Sequence, residues 1–129
     1  MISVSTNLIP LTFTRQDFHQ KFNSVPFLQK LFDGGNIKPL HETDTVKFLL
    51  KRVAIFEMDI DKEADENWVQ LISTKAMNFQ TAIRFELEED KGIYIHVETD
   101  TNVFMELFLE KRIKKMVESI VNSLKRQAY

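Results

Sequence analysis

The segment Asp59-Ile60-Asp61-Lys62-Glu63-Ala64-Asp65 sets carboxylates at alternate positions, the spacing by which a calcium-binding loop gathers oxygen ligands. Two positions break the pattern. Ala64 stands at the sharp turn, where glycine is required, and Gln70 stands where a bidentate glutamate would complete the shell. The segment therefore reads as a charged loop in water. Histidine offers no better metal site. His19, His41 and His96 are scattered, none has a second histidine four residues away, and the chain has no cysteine to add a thiolate. Each reads as a surface or boundary residue, although His41 and His96 fall in strand-like segments and could reach a shared cavity.

Carboxylates also cluster at Asp65-Glu66 and Glu88-Glu89-Asp90, in loops where nothing excludes the water from which a general acid must be shielded. Glycine-rich phosphate loops and the nucleophile-elbow pattern are absent. The sequence thus assigns no catalytic residue, no metal ligand and no cofactor. Basic residues gather late in the chain at Lys111, Arg112, Lys114, Lys115, Lys125 and Arg126, as they would on a nucleic-acid-binding helix. Seventeen basic against nineteen acidic residues give a net charge of −2, however, and basic side chains late in a helix already follow from its dipole and from solvation. No nucleic-acid partner is expected.

The elements that position these residues come from an ordinary folded composition. At 129 residues, 43% hydrophobic and 28% charged, residues 1–129 are expected to form one domain with one core, without disulfides or metals as staples. Met1 to Phe13 lacks a basic start and a sustained apolar stretch, so it reads as a mature strand and not as a targeting segment. No apolar run approaches the roughly 20 residues of a membrane span, and the expected location is cytoplasmic, without stable membrane insertion.

Ile2 to Phe13 is read as an edge or opening strand interrupted by Pro10. Thr14 then caps a short helix over about 15–23 that buries Phe18 and Phe22. Ser24 caps a second helix, with Pro26 in its first turn and Phe27, Leu28, Leu31 and Phe32 on its buried side, and Gly34-Gly35 closes it. From Asn36 to Thr99 the period is two. Val46, Phe48 and Leu50 share a parity with Ala54, Phe56, Met58 and Ile60, Trp68–Ser73 is a short strand, and Met77–Leu87 and Ile93–Val97 pair around a loop at Glu89–Gly92. Asp100 or Thr101 caps a final helix running to about Gln127, roughly 35 Å long at the usual rise. Its apolar stripe is Met105, Leu109, Ile113, Met116, Val117, Ile120 and Leu124.

This order resembles the START-like, or birch-pollen-allergen-like, superfamily (SRPBCC), in the stretch Val25-Pro26-Phe27-Leu28-Gln29-Lys30-Leu31-Phe32-Asp33-Gly34-Gly35-Asn36-Ile37 and in the ending from Asp100 to Gln127. The resemblance covers nearly the whole chain. It implies an α+β helix-grip fold, in which a curved antiparallel sheet of six or seven strands wraps the long C-terminal helix and two short helices follow the first strand. It further implies a pocket between sheet and helix for an apolar or amphiphilic small molecule. On that reading the lining is Phe48, Leu50, Arg52, Phe56, Phe79, Thr81, Ile83, Phe85, Ile95, Met105, Leu109, Ile113 and Met116. The chain departs from the family pattern at His41-Glu42-Thr43-Asp44-Thr45, where some relatives carry a glycine-rich turn, and in its short length. Both departures point to a smaller or a filled cavity.

Three functions stay open: a carrier of an apolar ligand, a protein-binding or homodimeric module with a filled core, and a small cyclase-like or hydrolase-like enzyme. An enclosed cavity favours the first, and a filled interior with an exposed apolar patch favours the second. Arg52 is ambiguous, because it breaks an apolar parity. It sits either in a turn facing water or in a continuous strand beside Thr81, where it would offer its guanidinium to an anionic ligand. At the start of the last helix, Val103, Phe104, Leu107 and Phe108 extend the apolar surface beyond the stripe. They need a cover, expected to come from the short helices around Phe18 and Phe32 rather than from a second subunit.

Overall fold

The computed structural model describes residues 1–40, 44–61, 65–74 and 80–127. In chain order the elements are β1 (Ile2–Ser5), α1 (Arg15–Phe22), α2 (Val25–Leu31), β2 (Ile37–Leu40), β3 (Val46–Leu50), β4 (Ala54–Ile60), β5 (Trp68–Ser73), β6 (Gln80–Glu88), β7 (Gly92–Asp100) and α3 (Val103–Gln127). The strands form one antiparallel sheet in the order β1-β7-β6-β5-β4-β3-β2. The α+β class and the two short helices after the first strand are as expected, and seven strands form the sheet.

One face of the sheet carries the core. Strand side chains alternate in direction, and one parity is buried along the central strands: Val46, Phe48 and Leu50, then Phe56 and Met58, Val69 and Leu71, Ile83, Phe85 and Leu87, and Ile93, Ile95 and Val97. Against this face lie α1 and α2, each held at its start by a hydroxyl. Thr14 Oγ1 accepts from the Asp17 N–H at 3.1 Å, and Ser24 Oγ accepts from the Phe27 N–H at 3.4 Å. The rest of the cover is α3, whose buried side is Leu109, Ile113, Met116, Val117, Ile120 and Leu124, the expected stripe, while Met105 is half-buried. Lys111, Lys114, Lys115, Lys125 and Arg126 are exposed.

Local chemistry shifts two boundaries. The first strand stops at Ser5 because the Thr6 side-chain hydroxyl takes the Ile95 N–H at 3.0 Å, in place of a backbone carbonyl. Pairing resumes only as an isolated bridge between Ile9 and Ile93, just before Pro10, which has no N–H to continue it. That bridge explains Gly92, where a Cβ would lie 2.1 Å from the Ile9 carbonyl oxygen. Second, β7 stays paired through Asp100, which faces Gln80, so the cap of α3 moves from Asp100 or Thr101 to Asn102. The Asn102 side-chain oxygen accepts from the Met105 N–H at 2.9 Å. Of the expected strand Met77–Leu87, residues 77–79, Phe79 among them, lie outside the described residues.

Arg52 is resolved in favour of the turn. Lys51, Arg52 and Val53 connect β3 to β4, Leu50 pairs with Ala54, and the Val53 N–H returns to the Leu50 carbonyl at 3.0 Å. At φ 67° Arg52 occupies the left-handed third position of the tight turn that this hydrogen bond closes. Its side chain is exposed, and Thr81 lies on β6, two strands away from β4. Its inclusion among the pocket residues is therefore corrected: the reversal of the chain points it to water.

Candidate binding surface on helix α3

Of the thirteen residues expected to line a pocket, the structure brings eleven together. Phe48, Leu50, Phe56, Ile83, Phe85, Ile95, Leu109, Ile113 and Met116 belong to one core cluster with no exposed surface, and Met105 packs against its edge. Thr81 is buried with Thr99, its hydroxyl 3.2 Å from the Thr99 hydroxyl. Arg52 is outside the cluster, as above, and Phe79 lies outside the described residues.

These residues meet one another. Phe32, at the end of α2, stacks on Phe48 at 4.3 Å between ring centroids, and Phe48 stacks on Phe56 at 5.1 Å, with interplanar angles of 14° and 10°. A second aromatic group joins Phe13, Phe18, Phe22 and Phe27 to Phe85, with Phe22 at its centre. Ring centroids at 4–6 Å leave no layer for a ligand between those rings.

The clefts described lie elsewhere, and none is lined by any of the thirteen residues. One of about 810 Å³ opens between the α1–α2 junction and the ends of β4 and β5, lined by His19, Asn23, Val25, Asp44, Asp59, Ile60, Asp61 and Ile72. Its histidine already has two partners. His19 Nε2 donates to the Glu66 carbonyl at 2.7 Å, which leaves Nδ1 to accept from the Asn23 amide at 3.3 Å. A second cleft, about 290 Å³, lies on the outer face of the sheet. There His96 bridges Ser5 and Glu86, each at 2.9 Å, while Arg84 donates to Gln70 and lies 4.2 Å above the Trp68 ring. His96 thus lies at the surface, as expected, and faces away from the interior that its strand position would also have allowed it to reach; His41 lies outside the described residues. A serine, a histidine and a glutamate in line have the order of an acyl-transfer relay, but half-exposed on an open sheet they lack the water-excluding wall such chemistry needs. A third cleft, about 240 Å³, lies between Asp33–Gly35 and the last turns of α3.

The exposed surface of α3 is different in kind. Val103, Phe104, Leu107 and Phe108 are 77%, 91%, 82% and 38% exposed. At about 100° per residue Phe104, Leu107 and Phe108 fall on the side of the helix opposite the buried stripe, and Val103 on its flank. The short helices do not cover them, because Phe18, Phe22, Leu28, Leu31 and Phe32 are spent on the sheet-side core. The expected intramolecular cover is thereby corrected. One of these rings is dressed by a cation: the Arg112 guanidinium lies 3.8 Å from the centroid of Phe108 and donates to the Phe108 carbonyl at 3.0 Å. Further along the same side come Lys111, Lys114 and Lys115. Among the described residues no group of histidine and carboxylate side chains is arranged to hold a metal ion, and no helix is long and apolar enough to cross a membrane.

Comparison with known proteins locates the fold. Neither a protein-family model nor a curated protein matches the chain. Solved structures do. Ms6760 of Mycobacterium smegmatis superposes with a TM-score of 0.63 over 98% of this chain and 89% of its own, at 9% identity. CV1439 of Chromobacterium violaceum gives 0.55 over 94% of each chain at 10% identity. DynU16, from the dynemicin biosynthetic locus, gives 0.58 at 8% identity over 98% of this chain, which spans 48% of that protein. At these identities the likeness is one of fold: an antiparallel sheet with a long C-terminal helix, in a helix-grip-like arrangement.

Proposed function

We propose that this chain is an interaction module of START-like ancestry that works through the outward face of α3, with an interior packed by its own side chains. The observation that carries this reading is the exposure of Phe104 and Leu107, at 91% and 82%, beside a core in which Phe32, Phe48 and Phe56 already stack. Large apolar side chains grouped on one surface mark a place where something docks. Native mass spectrometry together with thermal melting of Phe104→Glu/Leu107→Glu tests it. The expected result is a bare polypeptide mass and a variant that melts at or above the wild-type temperature, since both side chains leave water only on docking. A retained apolar ligand, or a variant that melts far lower, would overturn it.

A second reading rests on the 810 Å³ cleft, whose size suits a small molecule. Val25, Ile60 and Ile72 supply apolar wall, and Asp44 and Asp59 would face the polar end of an amphiphile. Under this reading the ligand sits outside the sheet–helix core, and native mass spectrometry detects it as added mass.

A further inference from the structure

We infer that the partner of the α3 surface is an anionic lipid membrane, on which the first turns of the helix act as an apolar wedge and the following turns as a basic anchor. The inference rests on the reading of α3 as the working face. Its first ground is the order of side chains along the exposed side of one helix. Val103, Phe104, Leu107 and Phe108 occupy the first two turns, and Lys111, Lys114 and Lys115 occupy the next two. An apolar group followed by cations on one helical side is the pattern that lies in a lipid–water interface, with rings among the upper acyl chains and ammonium groups at the phosphates.

Charge is the second ground. In α3 six residues are basic and three acidic, net +3, whereas the remainder of the chain, with eleven basic and sixteen acidic, carries −5. Of the acidic residues near the wedge, Glu106 holds the Met1 amino group, to which Asp100 also lies close, and Glu110 pairs with Lys114 at 3.6 Å. Lys111, Arg112, Lys114 and Lys115 outnumber Glu106, Glu110 and Glu118 along the wedge and the turns after it, on a chain whose total is negative, which favours an anionic surface.

The third ground separates a membrane from a second copy of the chain. A stable protein interface uses roughly 20–30 residues a side with matched shape. Here four apolar side chains stand in a short row with Lys111 and Lys115 beside them, and the outward side of the helix turns basic where a dimer would need its patch to widen. A lipid surface needs no matching shape, and a few inserted side chains plus several cations suffice. Docking of this kind is peripheral and does not need a spanning helix.

Co-sedimentation with phosphatidylcholine vesicles, with and without phosphatidylserine, tests the inference, alongside sedimentation velocity of the free protein. The wild-type chain is expected to be monomeric and to bind the phosphatidylserine vesicles at least tenfold more tightly, with binding that weakens as salt rises. Lys111→Ala/Lys115→Ala should weaken that binding tenfold or more, at about fivefold per cation removed. Phe104→Glu/Leu107→Glu should abolish it while melting like the wild type. The inference is overturned if the wild type leaves both vesicle types in the supernatant, if neither double variant changes binding, or if the free protein is a dimer that Phe104→Glu/Leu107→Glu converts to a monomer. That last outcome keeps α3 as the working face with a different partner. A wedge variant that melts far below the wild type would instead remove α3 as the working face, and the lipid inference with it.

Discussion

Thr81 and Thr99 face each other across β6 and β7 with their hydroxyls 3.2 Å apart, both buried on the core side of the sheet. Each hydroxyl is the other's hydrogen-bond partner, so Thr81, expected to greet a ligand, is satisfied by a neighbouring strand. Valine has nearly the shape of threonine. Thr81→Val alone therefore strands the Thr99 hydroxyl and should cost about 1–3 kcal/mol, whereas Thr81→Val/Thr99→Val removes both groups and should cost clearly less than the sum of the single changes. Urea unfolding of the four proteins of this cycle measures the coupling. Additive effects would show that the pair is not an isolated one.

The covering role of α3 is tested by two neighbouring positions, one buried and one exposed. Ile113 has no exposed surface, and an aspartate there places a charge in the core without a partner. Ile113→Asp should destabilise by several kcal/mol, roughly 3–5, and leave much of the chain unfolded at ordinary temperature. Lys114→Asp removes an exposed pairing with Glu110 at 3.6 Å and should change stability by about 0.5 kcal/mol. Thermal melting followed by far-ultraviolet circular dichroism separates the two. Equal melting temperatures would mean that the buried side of α3 has been misassigned.

These elements differ in how much of them the sequence displays. Trp68–Ser73 and the stripe from Leu109 to Leu124 are legible because period and length are local properties. The cap of α3 is not, since Asp100 stays in β7 only by virtue of its pairing with Gln80 on another strand. Arg52 is ambiguous for a specific reason. A three-residue turn between Leu50 and Ala54 preserves parity, so alternation runs through it unbroken, and only the positive φ of Arg52 separates two strands from one. The candidate surface follows the same logic. The sequence shows that Val103, Phe104, Leu107 and Phe108 exceed the stripe, but whether α1 and α2 reach them depends on packing in three dimensions. The expected pocket residues are legible as core and not as pocket, because Phe48 and Phe56 read the same whether they line a ligand or touch each other.

Tyr94 carries a pH signature. Its phenol donates to Glu88 Oε2 at 3.1 Å, and the nearby carboxylate raises its pKa above the ordinary value of about 10. A pKa higher in the folded than in the unfolded chain means that the folded state holds the proton more tightly. The resulting stability is fully present below the unfolded value and is lost as pH rises through the folded one. Absorbance titration should show one of the two tyrosines ionising late, and Tyr94→Phe should remove that late component. Glu88→Gln should bring it back toward ordinary values. A late component that persists in Tyr94→Phe would assign it elsewhere.

Phe48 decides between a filled interior and a hollow one. Its ring is fully buried and stacks on Phe32 at 4.3 Å and on Phe56 at 5.1 Å, so it occupies the middle of the layer where a pocket was expected. If the interior is filled, an apolar probe such as benzene should not bind the wild-type chain. Phe48→Ala deletes the central ring and should cost about 3–5 kcal/mol, the usual penalty for truncating a buried phenylalanine. The space it leaves is walled by aromatic and aliphatic groups, and such a cavity stays dry and admits small apolar molecules. Binding should then stabilise the variant as probe concentration rises, by mass action, while leaving the wild-type melting temperature unchanged. Wild-type protein that is itself stabilised by the probe would show that a cavity already exists beside the stack, and the ligand-carrier reading would regain its place.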